Sequence, residues 1–188
     1  MNLKAERGAA TRDKVLAIAT RLFAERGYDD TSIETVLQES GLSRGALYHH
    51  YAGKDALFEA VLEATESAIG VKIARAVRGI ADPAAALRAG ALAWIRLAGD
   101  PVIRRIVLID APSVLGWEQW RAVEERYSFG MLKAALEATG AVPEGFVDLH
   151  AHMLLAAINE SALLVARGGD TATAEAAVEE FLRRVLTP

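Results

Sequence analysis

Residues 31–54 read TSIETVLQESGLSRGALYHHYAGK, and this stretch decides the fold. Thr31-Ser32-Ile33-Glu34 has the form of a capping box, with a Thr31 hydroxyl for the third helical N–H and Glu34 reaching back. It opens a short helix with Ile33, Val36 and Leu37 turned inward. Gly41 permits the left-handed backbone that a tight inter-helix turn demands, and Leu42 plugs the gap. Ser43 caps a second short helix that ends near His50. Its inward anchor is Leu47, while Arg44, Tyr48 and His49 point outward over the small residues Gly45 and Ala46. Two such helices around a glycine turn form the pattern of a DNA-reading helix-turn-helix.

Upstream, residues 1–9 read as a flexible arm carrying Lys4 and Arg7. A helix follows over about 10–26, where Val15, Ile18, Ala19, Leu22 and Phe23 recur at spacings of three and four. Gly27 stands at its C-terminal end. Downstream, a long helix over about 54–79 carries Leu57, Phe58, Val61, Leu62, Thr65, Ile69 and Ile73. At about 40 Å it connects the N-terminal module to a separate helical body. Asp82-Pro83 and Asp100-Pro101 each pair a capping residue with a proline in the first helical position. They start helices over about 83–98 and 101–110. Residues 111–116 read as a break, and helices over about 117–139, 144–167 and 171–186 complete the chain. The reading is an all-α protein of about nine helices: an N-terminal helix-turn-helix unit, residues 1–53, and a C-terminal helical unit, residues 54–188.

Composition bounds the chemistry. The 188 residues are 52% hydrophobic and 24% charged, enough apolar material for a core. There is no cysteine, which excludes disulfides, thiol nucleophiles and Cys-ligated metal clusters. The opening MNLKAERGAATRDK has no apolar signal region, and the longest apolar run, Met153 to Ile158, is far too short for a bilayer. A cytoplasmic protein with no membrane contact is expected. The net charge is −4, but residues 1–55 carry eight basic and eight acidic side chains, so the excess of acid lies beyond them. DNA contact needs a local basic footprint rather than a basic protein. His150-x-His152 is not a metal site, because residues two apart on a helix face about 200° apart. No metal and no cofactor are expected.

The tract LFAERGYDDTSIETVLQESGLSRGALYHHYAGKDALFEAV, and LSRGALYHHYAGKDAL within it, resembles the TetR family of bacterial transcription regulators over about residues 11–61. The nine-helix plan is similar to that family's architecture, and residues 108–117 (LIDAPSVLGW) resemble a segment seen in some of its ligand-binding domains. The resemblance implies a DNA-binding regulator, a repressor rather than an enzyme. It would bind an inverted-repeat, palindromic operator as a homodimer and be released by a small molecule.

Arg44 has the geometry to donate two hydrogen bonds to guanine O6 and N7, or one to a phosphate. Gly45 and Ala46 let the backbone approach the groove. Tyr48 resembles the family's DNA-facing tyrosine, and the resemblance brings His49 and His50 near DNA too. Tyr51 stands in place of a usual core phenylalanine. Lys54 and the start of the long helix are suited to a phosphate, as are Thr31, Ser32 and Ser43 at their helix starts. Glu34 would repel phosphate unless the capping box occupies it.

The last two helices carry apolar stripes, Leu149, Met153, Ala156, Ala157, Leu163 and Leu164 on one and Ala174, Ala177, Val178, Phe181, Leu182, Val185 and Leu186 on the other. They would form a four-helix dimer seam. In the body, Trp94, Trp117, Trp120, Tyr127, Met131 and Met153 supply apolar surface, and Arg104, Asp110, His152 and Asn159 supply polar groups. Apolar walls with a few fixed polar groups describe a pocket for a small, mainly apolar effector. Two other readings fit the residues: an enzyme on a helical bundle with the N-terminal motif as adaptor, and an effector-free dimer that only binds DNA.

Overall fold

Helix signals along the chain translate into nine helical runs among the described residues, 3–186, of a computed structural model; no strand forms among them. Residues 1–2 lie outside that range, as do the side chains of residues 1–7, Lys4 and Arg7 included. Helix α1 is Leu3–Arg26, α2 is Ile33–Ser40 and α3 is Arg44–His50. Helix α4 is Lys54–Ala76 and α5 is Pro83–Leu97. Helix α6 covers 101–114 and α7 covers 117–139. After a single 3-10 turn, Glu144–Phe146, come α8, Val147–Ala166, and α9, Thr171–Leu186. The first helix starts seven residues earlier than the sequence reading, so the stretch read as an arm is helical from Leu3.

The N-terminal elements are held by the residues their periodicity selects. Val15, Ala19, Leu22 and Phe23 of α1, Leu47 of α3 and Leu57 and Phe58 of α4 are fully buried. Phe23, Tyr28 and Phe58 meet edge-to-face or stacked at 5.1–5.9 Å, a geometry that adds to their burial. Gly41 closes α2 at φ 70° and donates its N–H to Leu37, the left-handed cap its position demanded. The Lys14 ammonium donates to the Ser40 carbonyl at 2.8 Å, satisfying another group at that helix end.

Caps differ from the expected box. Thr31 is buried, and its hydroxyl donates to the carbonyls of Gly27 at 2.8 Å and Leu22 at 3.2 Å. Ser32 is the residue that caps α2, accepting from the Thr35 N–H at 3.1 Å. Glu34 does not reach back; it pairs with Arg44. The carbonyls left at the end of α1 outcompete the local box for the Thr31 hydroxyl.

Helix α6 also departs from expectation, since the break read at residues 111–116 shrinks to Leu115 and Gly116. Residues Arg104–Asp110 form a π-helical segment, and the Ala111 N–H bonds to the Ile106 carbonyl five residues back. This wider turn shifts the hydrogen-bond register just before Pro112, whose missing donor then leaves the helix intact to Val114. A second π segment, Glu125–Phe129, interrupts α7.

Helix α4 runs from the N-terminal elements into the body, where α5 packs against α4, α7, α8 and α9. Helix α8 lies at the centre, with ten of its twenty residues buried. Residues Glu144–Ala166 have the length and apolar composition to cross a membrane, more than the short apolar run suggested, and half of the most apolar window is buried within the fold.

The joint between the N-terminal elements and the body is polar. Asp110, buried on α6, accepts from the Tyr28 N–H at 2.8 Å and pairs with the Arg105 guanidinium at 2.9 Å. Gly27 (φ 84°) lies directly beneath that guanidinium, where a Cβ would clash with it. Asp110→Ala removes the buried acceptor of the half-buried Tyr28 N–H and of the Arg105 guanidinium, whose side chain is 42% exposed. It should lower the unfolding free energy by about 2 kcal/mol, measured by urea titration; an unchanged midpoint would show that the joint carries no stability.

Candidate functional site

Outward-facing groups of α2, α3 and the start of α4 make one polar surface. Ser32, Ser43, Arg44, Gly45, Tyr48 and His49 are exposed, and Ala46, His50 and Lys54 are partly so. Thr31 is not on this surface, because its hydroxyl is spent inside. Ser43 caps α3 by accepting from the Ala46 N–H at 3.2 Å. A Cβ at Gly45 would meet nothing within 4 Å, so the helix is bare at that point. The rings of His49 and His50 meet edge-on at 5.3 Å. Tyr51, next in line, turns into the core, and its hydroxyl is buried without a hydrogen-bond partner among the described residues.

Two cations on this surface are held in place. Arg44 pairs with Glu34, whose carboxyl is kept below its ordinary range by its own backbone hydrogen bond and then by Arg44. The Lys54 ammonium sits 4.0 Å from the Tyr28 ring centroid and 3.3 Å from the Asp29 carbonyl. The Tyr28 hydroxyl donates to Asp55, and its pKa is pushed up to about 12, first by burial and then by that carboxylate. Gly53 precedes α4 and has no side chain to cap it, and among the described residues no side-chain cap bond forms at this helix start. Such a helix start beside a lysine is suited to an anion.

In the body, α4, α5, α7 and α8 line a partly open cavity of about 370 Å³. Its walls are mostly aliphatic and aromatic: Ile73, Leu87, Trp94, Met131, Leu132, Leu155 and Ile158 among others. The polar groups are Glu66, Glu124, Ser128 and Asn159. Trp94 Nε1 donates to Asn159 Oδ1 at 3.0 Å, which fixes the amide orientation. The π segment of α7 lies between Glu124 and Met131 and contributes Ser128, so the widened turn shapes one wall.

Of the ten residues put forward for a pocket, Trp94, Met131 and Asn159 line this cavity. The other seven do not. Asp110 belongs to the joint with Tyr28, and Arg104 is exposed. Trp117 is exposed and lies 4.9 Å from Trp120, which is buried in the core. Tyr127 packs against the core. His152 stacks on Phe129 at 4.1 Å, and Met153 faces outward. His150 bonds the Phe146 carbonyl, and among the described residues no three His, Cys, Asp or Glu side chains gather as metal ligands would.

Most of the lining was missed, its two acidic residues included. Glu66 and Glu124 are buried, and burial pushes their pKa values up, to about 8 and about 7. Glu124 adds to the rise at Glu66, while Arg121, 3.2 Å from Glu124, holds Glu124 back. A signal existed: Glu66 falls four residues after Leu62 and three before Ile69, inside the apolar stripe of α4.

Comparison with known proteins matches segments in both halves of the chain. Residues 15–61 match the family described as bacterial regulatory proteins, tetR family, and residues 84–188 match the tetracyclin repressor-like C-terminal domain. The HTH-type transcriptional regulator LmrA of Bacillus subtilis is 42% identical over 81 residues, 42% of this chain and 43% of that protein. The HTH-type transcriptional repressor Rv1474c of Mycobacterium tuberculosis is 49% identical over 53 residues, 28% of each chain. This chain therefore aligns with less than half the length of these curated relatives. A crystal structure of a TetR-family transcriptional regulator from Pectobacterium atrosepticum covers 100% of this chain and 99% of its own, at 31% identity and a TM-score of 0.83. The structure of RolR with resorcinol shares the fold at a TM-score of 0.72 and 16% identity, covering 97% of this chain and 96% of its own.

Proposed function

Because this chain belongs to the TetR family of bacterial DNA-binding transcriptional regulators, we propose that it is a ligand-responsive repressor acting as a homodimer on an inverted-repeat operator. The observation that carries the DNA half is the exposed face of α3. Arg44 and Tyr48 stand out over Gly45 and Ala46, with His49 beside them. Arg44 reads a base edge, and Tyr48, His49, Ser32, Ser43 and Lys54 hold backbone. Residues 1–53 serve DNA binding, and residues 54–188 serve effector binding and dimerisation. The protein acts in the cytoplasm, and the chain is not an enzyme.

Dimerisation is supported by unpartnered apolar surface on α8 and α9. Leu149, Met153 and Leu164 are 54–55% exposed and Phe181 is 40% exposed, while Leu163, Val178 and Leu182 are spent inside the protomer. A two-fold axis through these helices covers the outer faces and sets two α3 helices about 34–36 Å apart, one turn of DNA. The effector acts through the cavity under α4. A ligand that prefers a splayed dimer by about 3 kcal/mol weakens operator binding about a hundred-fold.

Selection of bound duplexes from a random pool at near-physiological salt tests this reading. An enriched inverted repeat is the expected result, and its spacing reports the separation of the reading helices. No enrichment, with duplex binding that vanishes as salt rises, overturns sequence-specific recognition.

A further inference from the structure

We propose that the cavity between α4, α5, α7 and α8 binds a lipophilic organic cation, its positive group held by Glu66 and Glu124 and its apolar body against Trp94 and the aliphatic walls. This rests on the reading of that cavity as the effector site. Glu66 and Glu124 are each 2% exposed as residues, on helices that pack together. Among the described residues neither oxygen of Glu66 has a hydrogen bond, and Glu124 uses only Oε2, on Arg121, leaving Oε1 buried and without a partner. Arg121 itself does not line the cavity, and among the described residues no Lys, Arg or His does.

An independent observation comes from the opposite wall. Asn159 is 4% exposed, and its Oδ1 is occupied by the Trp94 indole. Its Nδ2 is buried without an acceptor. Unsatisfied buried polar groups are costly; among the described residues Glu124 Oε1 and Asn159 Nδ2 are two such atoms on one cavity's walls, while the other two, Tyr51 Oη and Trp120 Nε1, lie away from it. A ligand that fits them is positively charged at the end facing α4 and α7, apolar in between, and carries a hydrogen-bond acceptor towards α8.

Charge selects among ligand classes. Burial keeps the proton on Glu66 near neutral pH and leaves Glu124, at about 7, half protonated, because an ionised group out of water needs a partner. A cation supplies that partner: Glu66 ionises, and its proton leaves to solvent. An anionic ligand meets two acidic groups and no basic one in the wall. A neutral ligand gains hydrogen bonds alone.

The test uses matched probes on the full-length protein at neutral pH: phenylbutylamine, phenylbutanol and phenylbutyrate, with octylamine, octanol and octanoate as a second series. The change in tryptophan fluorescence, to which Trp94 on the cavity wall contributes, reports occupancy, and calorimetry in two buffers of different ionisation enthalpy reports protons released. In each series the amine should bind about ten-fold or more tightly than the acid and more tightly than the alcohol, with proton release. Glu66→Gln and Glu124→Gln together should abolish the preference and the release while the alcohol still binds. Equal or tighter binding of the acid or alcohol overturns the cation assignment and leaves the cavity a ligand site. An amine preference that survives the double substitution overturns the role of the two glutamates. Binding by none of the six compounds overturns both the assignment and the reading of the cavity beneath it.

Discussion

Arg44→Ala should reduce affinity for the selected operator about a hundred-fold and flatten base preference at one position in each half-site. Affinity for unrelated duplex should fall only a few-fold. A bidentate contact to guanine discriminates by about 1–3 kcal/mol, and a symmetric dimer makes it twice. The exposed side of α3 leaves room for close approach, with Gly45 bare and Ala46 small. In the free protein Arg44 is paired with Glu34, but both side chains are at least 60% exposed, and an exposed pair contributes little. Its release is therefore a small cost on DNA binding. Lys54→Ala should behave differently and weaken all duplexes alike, as loss of a phosphate contact does. Quantitative binding to operator and scrambled duplex separates the two. If Arg44→Ala and Lys54→Ala both lowered affinity uniformly across sequences, the base-reading role of Arg44 would be wrong.

Local signals were legible where the physics is local. Asp82 accepts from the Ala85 N–H at 2.8 Å, and Asp100 accepts from Val102 and Ile103, as Asp-Pro starts require. Gly41 closes α2 as its place between two apolar runs implied. The stripe of α1 is buried almost residue for residue. Errors arose where a neighbour from another element decides. Thr31 had a plausible local job, but carbonyls at the end of α1 claimed it. Pro112 marked a break only while the preceding turn was taken as α-helical; a π turn removes the conflict.

The cavity was harder to read for the same reason. Tryptophans attract attention by size, yet size does not reveal which side of a helix meets empty space. Trp120 fills core and Trp117 faces outward, while Trp94 alone reaches the cavity. The more telling feature was chemical inconsistency. A glutamate within the apolar stripe of α4 has no structural reason to be there, and such violations of pattern concentrate at functional positions.

That inconsistency makes stability depend on pH in an unusual direction. Glu66 holds its proton to about pH 8 in the folded protein, against an ordinary value of 4.5. Glu124 holds its proton to about pH 7. Between the ordinary value and the folded one, the unfolded chain releases protons that the folded chain keeps. The stabilising contribution is therefore complete below about pH 4.5 and is lost as pH rises through 7 and 8. The groups that set this balance are Glu66 on α4 and Glu124, Arg121 and Glu125 on α7; Asn159 on α8 is neutral. Exposed carboxylates such as Glu180, held at about 2 by Arg183 and Arg184, act oppositely, but only in strong acid. The melting temperature should accordingly be higher at pH 6 than at pH 8.5, by several degrees if the loss reaches a few kcal/mol. Glutamine mimics the protonated acid, so Glu66→Gln with Glu124→Gln should remove most of that difference and raise stability at the alkaline end. A wild-type melting temperature that is flat or rises over this range, or a slope unchanged by the double substitution, would show that the cavity does not hold these protons. The same two side chains thus set both the alkaline limit of the fold and the charge its cavity offers a ligand. A bound cation should raise the melting temperature most at high pH, where the empty cavity must otherwise carry two ionised acids.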